Sequence, residues 1–256
     1  RDIDLHLCGQ AYFAAQGCDS PSQLLEMVEL CFGTIAEIDT FCFCTDDRTR
    51  VPLGEKNGYI NASYIRMKVG EEEHFYITTQ GPLPSTMADF WQMVWESESD
   101  VIAMMTKEVE LGQVKCHRYW PEPPLESIDL ANFHLRLDDY QILEYFIIRT
   151  IEMINKQTEE KRIISHLQFT TWPDQNTSKL AEQLVKFICY MRRAHSTGPI
   201  VAHCSTGIGR SGVLLCVEVL LSYIEKDLSV SIKQIIIKCY KLVWMSTTQW
   251  GYLRPA

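Results

Sequence analysis

A chain of 256 residues that is 46% hydrophobic is long enough to bury one sizeable α/β core, and a single domain is the simplest reading. The formal net charge of −9 excludes a general nucleic-acid binder, since phosphate-backbone affinity needs clustered Lys and Arg, so any anion site must be local. No apolar run approaches a membrane span and residues 1–20 carry no basic-plus-apolar leader, which together with ten cysteines reads as a cytoplasmic protein with reduced thiols.

In chain order, Ser20-Pro21-Ser22-Gln23 caps a helix with Leu24, Leu25, Met27, Val28 and Cys31 on one face and Gly33 at its end. Residues 1–45 form an N-terminal helical segment in this reading and residues 46–256 the main domain. No period emerges over 40–50, a predicted loop. Cys42-x-Cys44 in that loop lacks a second pair at zinc spacing, so no metal site is expected there. Residues 51–69 carry strand-type residues around Tyr59-Ile60-Asn61-Ala62-Ser63, 74–79 form another strand, and Gln80-Gly81-Pro82 makes a turn. Ser85 opens a helix whose Met87, Phe90, Trp91, Val94 and Trp95 form a core stripe.

Further strands are predicted over 101–105, 114–120, 143–154 and 162–170. Residues 179–193 are amphipathic, with Leu180, Leu184, Phe187, Ile188 and Met191 on one side. Ile200-Val201 is a buried strand, an apolar helix follows Arg210, and a last helix spans 231–240. With no repeat, low-complexity tract or linker, the expected fold is a single α/β domain: a highly twisted mixed β-sheet flanked by helices on both faces.

The most informative segment is His203-Cys204-Ser205-Thr206-Gly207-Ile208-Gly209-Arg210-Ser211-Gly212, lying between an apolar strand and an apolar helix. Gly207 and Gly209 permit backbone angles that let the N–H groups of Ser205, Thr206, Gly207, Ile208, Gly209 and Arg210 converge on one dianion. The helix adds its positive end, and Arg210 a planar fork for two oxygens. Cysteines at helix N-termini or beside cations ionise well below their ordinary range, which makes Cys204 a candidate nucleophile. The plainer alternative is a buried structural cysteine before a Gly-rich turn.

Several blocks join that loop in order: Tyr59-Ile60-Asn61-Ala62-Ser63, Thr79-Gln80-Gly81-Pro82-Leu83, Asp89-Phe90-Trp91-Gln92-Met93-Val94-Trp95-Glu96, Lys115-Cys116 with Tyr119-Trp120-Pro121, and Trp172-Pro173-Asp174. From about Thr49 to Trp250 the chain resembles the classical protein-tyrosine phosphatases. The resemblance implies that Cys204 attacks phosphorus to form a cysteinyl-phosphate, while Arg210 and the loop amides hold the equatorial oxygens. It implies Asp174 as general acid and then base, Ser211 as an aid to thiolate departure, and His203, assisted by Tyr119, as tuner of Cys204. Glu110 would orient Arg210, Lys115 would support the site, and Gln249 would contact substrate. No cofactor and no metal is implied; the partners are phosphotyrosine-containing proteins, and oligomeric state is not indicated.

Four departures from the family pattern bear on activity. Thr40 and Cys42 stand where a stacking tyrosine and a backbone-holding Asp are usual, and Gln175-Asn176 replaces the usual His-Gly. Ser246 stands for the first of two glutamines, the second being Gln249, and the chain ends at Ala256 before the family's last helix is complete. These leave open a phosphotyrosine binder with impaired turnover as the alternative to an active phosphatase.

Overall fold

The computed structural model describes residues 48–54, 58–123, 126–172 and 177–228. The predicted helices over 20–33 and 231–240, and with them the whole segment 1–45, lie outside the described residues. Within the described residues the strands are β1 (Ala62–Val69), β2 (Glu72–Thr79), β3 (Val101–Met104), β4 (Val109–Glu110), β5 (Gln113–Val114), β6 (Ser127–Asp129), β7 (Phe133–Ile142), β8 (Phe146–Asn155), β9 (Lys161–Phe169) and β10 (Ile200–His203). The helices are α1 (Met87–Glu96), α2 (Thr177–Ala194) and α3 (Gly209–Glu225).

Every residue of β3 and β10 is buried, as expected of strands covered on both faces. They form the centre of a sheet ordered β1-β2-β10-β3-β9-β8-β7-β6. The inner strands β2, β10, β3 and β9 run parallel, and antiparallel pairs finish both sides. Side chains alternate across this sheet with period two. Val101, Ala103, Leu167, Phe169, Ile200 and Ala202 join residues of α2 and α3 in one buried cluster. Their neighbours Ile102, Met104, Ile164 and Val201 join Phe90, Trp91 and Val94 of α1 in the other. Helices therefore cover both faces of a mixed sheet, as the sequence predicts.

Some elements differ from expectation. The strand predicted over 114–120 shrinks to the two-residue β5, because the next residues take tertiary partners: the Tyr119 carbonyl accepts from Trp91 Nε1 at 2.8 Å. The helix predicted to open at Ser85 starts at Met87, with Thr86 before it, and the strand predicted from Leu143 begins at Phe146. Strands β6 and β7 were not anticipated. The alternation of β7 breaks at Asp138 and Asp139, where the ladder with β8 shifts register, so its outer half is polar and exposed.

The topology fixes where a ligand can bind. The carboxyl ends of the parallel strands open on one edge, bringing together Gln80 and Gly81 after β2, Met105 and Thr106 after β3, Trp172 after β9 and Cys204 after β10. That edge is the usual ligand-binding end of an open α/β sheet.

Candidate active site

Cys204 leaves β10 with only 3% of its surface exposed. The Gly207 N–H donates to its Sγ at 3.3 Å, and the Ser211 hydroxyl lies 3.5 Å from the same sulfur. Ser205 and Thr206 are exposed at the crest of the loop, Ile208 is buried beneath it, and Gly209 and Arg210 begin α3. No side chain caps α3, leaving its positive end directed to the loop.

The loop is braced by segments remote in sequence. Gly207 sits at φ +85, and a Cβ there would lie 2.4 Å from the Thr79 carbonyl, so both conformation and space demand glycine. The Thr78 hydroxyl donates to the Gly207 carbonyl, and the Gly81 N–H donates to the Ser205 carbonyl at 3.0 Å. A Cβ on Gly81 would fall 2.7 Å from the Cys204 carbonyl. Behind them the Asn61 amide donates to Gln80 Oε1 at 2.9 Å. The blocks Tyr59-Ile60-Asn61-Ala62-Ser63 and Thr79-Gln80-Gly81 are thus scaffold for the loop.

Arg210 and Glu110 form a bidentate pair, Nη1 to Oε1 at 2.6 Å and Nη2 to Oε2 at 2.7 Å. Glu110 lies on β4, and the Lys107 N–H at 3.1 Å and the Thr106 hydroxyl at 3.0 Å hold it in place. Partial burial pushes the Glu110 carboxyl up, but the hydrogen bonds from Arg210 and Lys107 outweigh it and leave the group below its usual range. Of the five guanidinium N–H donors, Glu110 takes two, and the Thr106 hydroxyl and Met105 carbonyl share the second proton of Nη1 at 3.3 and 3.5 Å. Among the described residues that leaves Nε–H and one Nη2–H, adjacent donors on one edge of the fork. The Trp172 ring lies 5.4 Å from the guanidinium carbon and packs on Phe169.

His203 is fully buried. Its Nδ1 lies 3.1 Å from the Cys204 carbonyl and its Nε2 2.6 Å from the Tyr119 hydroxyl. Burial drives the imidazole down to about 4, against a smaller opposing effect of the Cys204 contact, so the ring is neutral at physiological pH. Burial also raises the Tyr119 hydroxyl well above its usual value, keeping it a phenol. Lys115 follows β5, its N–H donating to the Glu108 carbonyl at 2.8 Å.

The structure therefore brings together His203, Cys204, Gly207, Arg210, Ser211, Glu110 and Tyr119. Asp174 and Gln249 lie outside the described residues, as do Thr40, Cys42 and Ser246. Sequence reasoning missed Thr78, Thr106 and His166, which touch Gly207, Glu110 and Tyr119 respectively. Thr78 lies in β2, His166 in β9 and Thr106 just beyond β3, all buried, and no local sequence signal marked them.

The family model for Protein-tyrosine phosphatase matches residues 40–245, more than half of the chain. The chain belongs to this family. It is 52% identical over 190 residues to human tyrosine-protein phosphatase non-receptor type 20, an alignment covering 74% of this chain and 45% of that protein. The rat type 20 protein is 48% identical over 195 residues, with 76% of this chain and 46% of the relative covered. Human tyrosine-protein phosphatase non-receptor type 13 is 50% identical over 197 residues, with 77% and 8% covered. The chain thus spans under half the length of the curated relatives it matches. Among the described residues no helix is long and apolar enough to cross a membrane.

Proposed function

We propose that this domain of the protein-tyrosine phosphatase family hydrolyses phosphotyrosine on proteins through a cysteinyl-phosphate. The observation that carries the reading is the edge of Arg210 left by Glu110, two adjacent N–H donors beginning the helix that leaves the Cys204 loop. A phosphate monoester needs that arrangement: donors for its equatorial oxygens around a nucleophile placed in line with the leaving group.

The Cys204 thiolate forms an S–P bond as the P–O bond to the tyrosine ring breaks, and Asp174 gives the leaving oxygen its proton. Water then attacks phosphorus, giving a proton to Asp174; the S–P bond breaks, and Ser211 donates to the departing sulfur at a resting separation of 3.5 Å. For Asp174, support comes from Trp172, which stands two residues before it in the sequence and lies over Arg210. The domain in this reading covers residues 46–256 and acts in the cytoplasm on phosphotyrosine-containing proteins. Thr40, Cys42 and Ser246 favour a second reading, a phosphotyrosine binder with little turnover.

Hydrolysis of a small aryl phosphate by the purified chain, beside Cys204→Ser, tests both. Turnover that Cys204→Ser abolishes is expected. Turnover that survives in Cys204→Ser removes the mechanism, whereas phosphopeptide binding without turnover in the unmodified chain selects the second reading.

A further inference from the structure

Behind the nucleophile lies a hydrogen-bonded chain of fully buried groups whose direction is set by its ends. At one end the Cys204 carbonyl, 3.1 Å from His203 Nδ1, can only accept. At the other end Arg149, 2% exposed, can only donate, and its Nη1 lies 3.4 Å from His166 Nδ1. Between them the Tyr119 hydroxyl lies 2.6 Å from His203 Nε2 and 2.9 Å from His166 Nε2. Both rings are neutral because burial lowers them, so each carries one N–H. A single assignment then uses every proton. Arg149 donates to His166 Nδ1, His166 Nε2–H donates to Tyr119, the Tyr119 hydroxyl donates to His203 Nε2, and His203 Nδ1–H donates to the Cys204 carbonyl.

Reversing any link sets two lone pairs, or two protons, against each other in a site with no water-exposed surface, which costs far more than a hydrogen bond yields. His166 is itself fixed. Its ring stacks on Trp120 at 4.9 Å, and Arg149 is anchored by Gln168 Oε1 at 2.9 Å and Glu122 Oε1 at 2.8 Å while lying 4.7 Å from the Trp120 ring centre. Glu122 in turn pairs at 2.8 Å with Arg118, which also pairs with Glu108. The Cys116 thiol, whose charge would also act on Tyr119, is pushed up to about 12 by burial and stays neutral.

We propose that His166 is a positioning residue for the nucleophile: its Nε2–H turns the Tyr119 hydroxyl toward His203 and so holds His203 in the Nδ1–H form that grips the Cys204 carbonyl. The first peptide of the anion loop is thereby fixed from β9, two places from β10 in the sheet order, through side chains alone. The inference rests on reading this loop as the phosphatase site, yet its test does not require turnover.

Nitrogen NMR of the full chain labelled at histidine reads the tautomer directly. His203 in the unmodified protein should carry its proton on Nδ1 across about pH 6–8; a proton on Nε2 there overturns the proposal whatever the variants do. Alkylation of Cys204 by iodoacetate at about pH 6 then reads the consequence. His166→Leu should show a mixed His203 tautomer and an alkylation rate lower by up to about tenfold, the scale of one buried hydrogen bond. His166→Gln, which retains an N–H donor, should recover most of that rate. A His166→Leu protein that folds and keeps both the tautomer and the rate overturns the proposal. If His166→Leu does not fold, His166→Gln and the unmodified spectrum decide. A chain that hydrolyses no aryl phosphate would remove the phosphatase reading while the tautomer and alkylation results still stand or fall separately.

Discussion

Replacing Glu110 by Gln tests whether the orientation of Arg210 controls the chemistry. The substitution preserves volume and leaves the amide oxygen able to accept from one Nη, but sets an amide N–H against the other, where Oε1 and Oε2 now accept at 2.6 and 2.7 Å. One charge-assisted hydrogen bond is lost, worth about 1.5–3 kcal/mol when both partners are largely sheltered. Thr106 and Met105 still accept from Nη1, so Arg210 is not wholly released and the lower half of that range applies. At about 1.4 kcal/mol per decade this is roughly a 10–40-fold fall in kcat/KM for aryl phosphate hydrolysis. In the proposed mechanism Arg210 holds the equatorial oxygens most tightly in the transition state, so kcat should carry more of the fall than KM. Steady-state kinetics of Glu110→Gln beside the unmodified chain, with thermal melts to verify folding, measure it. Activity within about twofold of the unmodified chain would refute the reasoning.

Stability should fall on mild acidification. The His203 value of about 4 in the fold lies below its ordinary 6.5, so the unfolded chain binds the proton first; the stabilisation is whole above 6.5 and is lost as pH falls toward 4. Between pH 7 and pH 5 this one residue removes about 2 kcal/mol, with His166 adding in the same direction, and urea titrations giving equal stability at the two pH values would contradict a neutral buried pair. Asp174→Ala should cost about 10²–10⁴-fold on phenyl phosphate and much less on an aryl phosphate whose leaving group needs no proton. Equal losses on the two substrates would remove the general-acid assignment.

How much could be read from the sequence follows from where each determinant resides. Apolar patterns placed β2, β3, β8, β9 and β10 and the three helices of the described residues to within a few residues, because those elements bury a face or both faces, whereas the strand read over 51–69 is confined to Ala62–Val69. β6 and β7 escaped because strands at the side of a sheet owe their form to pairing with a neighbour more than to burial: β6 is the edge strand, and the part of β7 that runs beyond its pairing with β6 is charged or exposed. The reverse error at 114–120 has the same origin. Buried aromatic residues there look like a strand, but Tyr119 and Trp120 are buried by side-chain contacts with Trp91, His166 and Arg149.

The site divides along a similar line. That Cys204, Arg210 and Ser211 share one loop was legible from their short spacing between an apolar strand and an apolar helix, and the approach of Glu110 and Tyr119 to that loop only because the chain resembles a family. Thr78, Thr106 and His166 work through contacts that no local pattern encodes: each is a polar side chain on or beyond an inner strand, reaching the loop from an adjacent or more distant strand. In a chain of net charge −9, Glu110 already compensates the one arginine of the loop, so attraction for a dianion rests on the uncapped end of α3, the loop amides and the two remaining donors of Arg210. Those are oriented dipoles, not a mobile positive patch, and they stabilise charge only where it sits among them. A bulk electrostatic attraction would favour any anion; on the proposed reading this arrangement favours a tetrahedral phosphate seated over Cys204, so the groups that hold the loop in shape should matter as much as those proposed to touch the substrate.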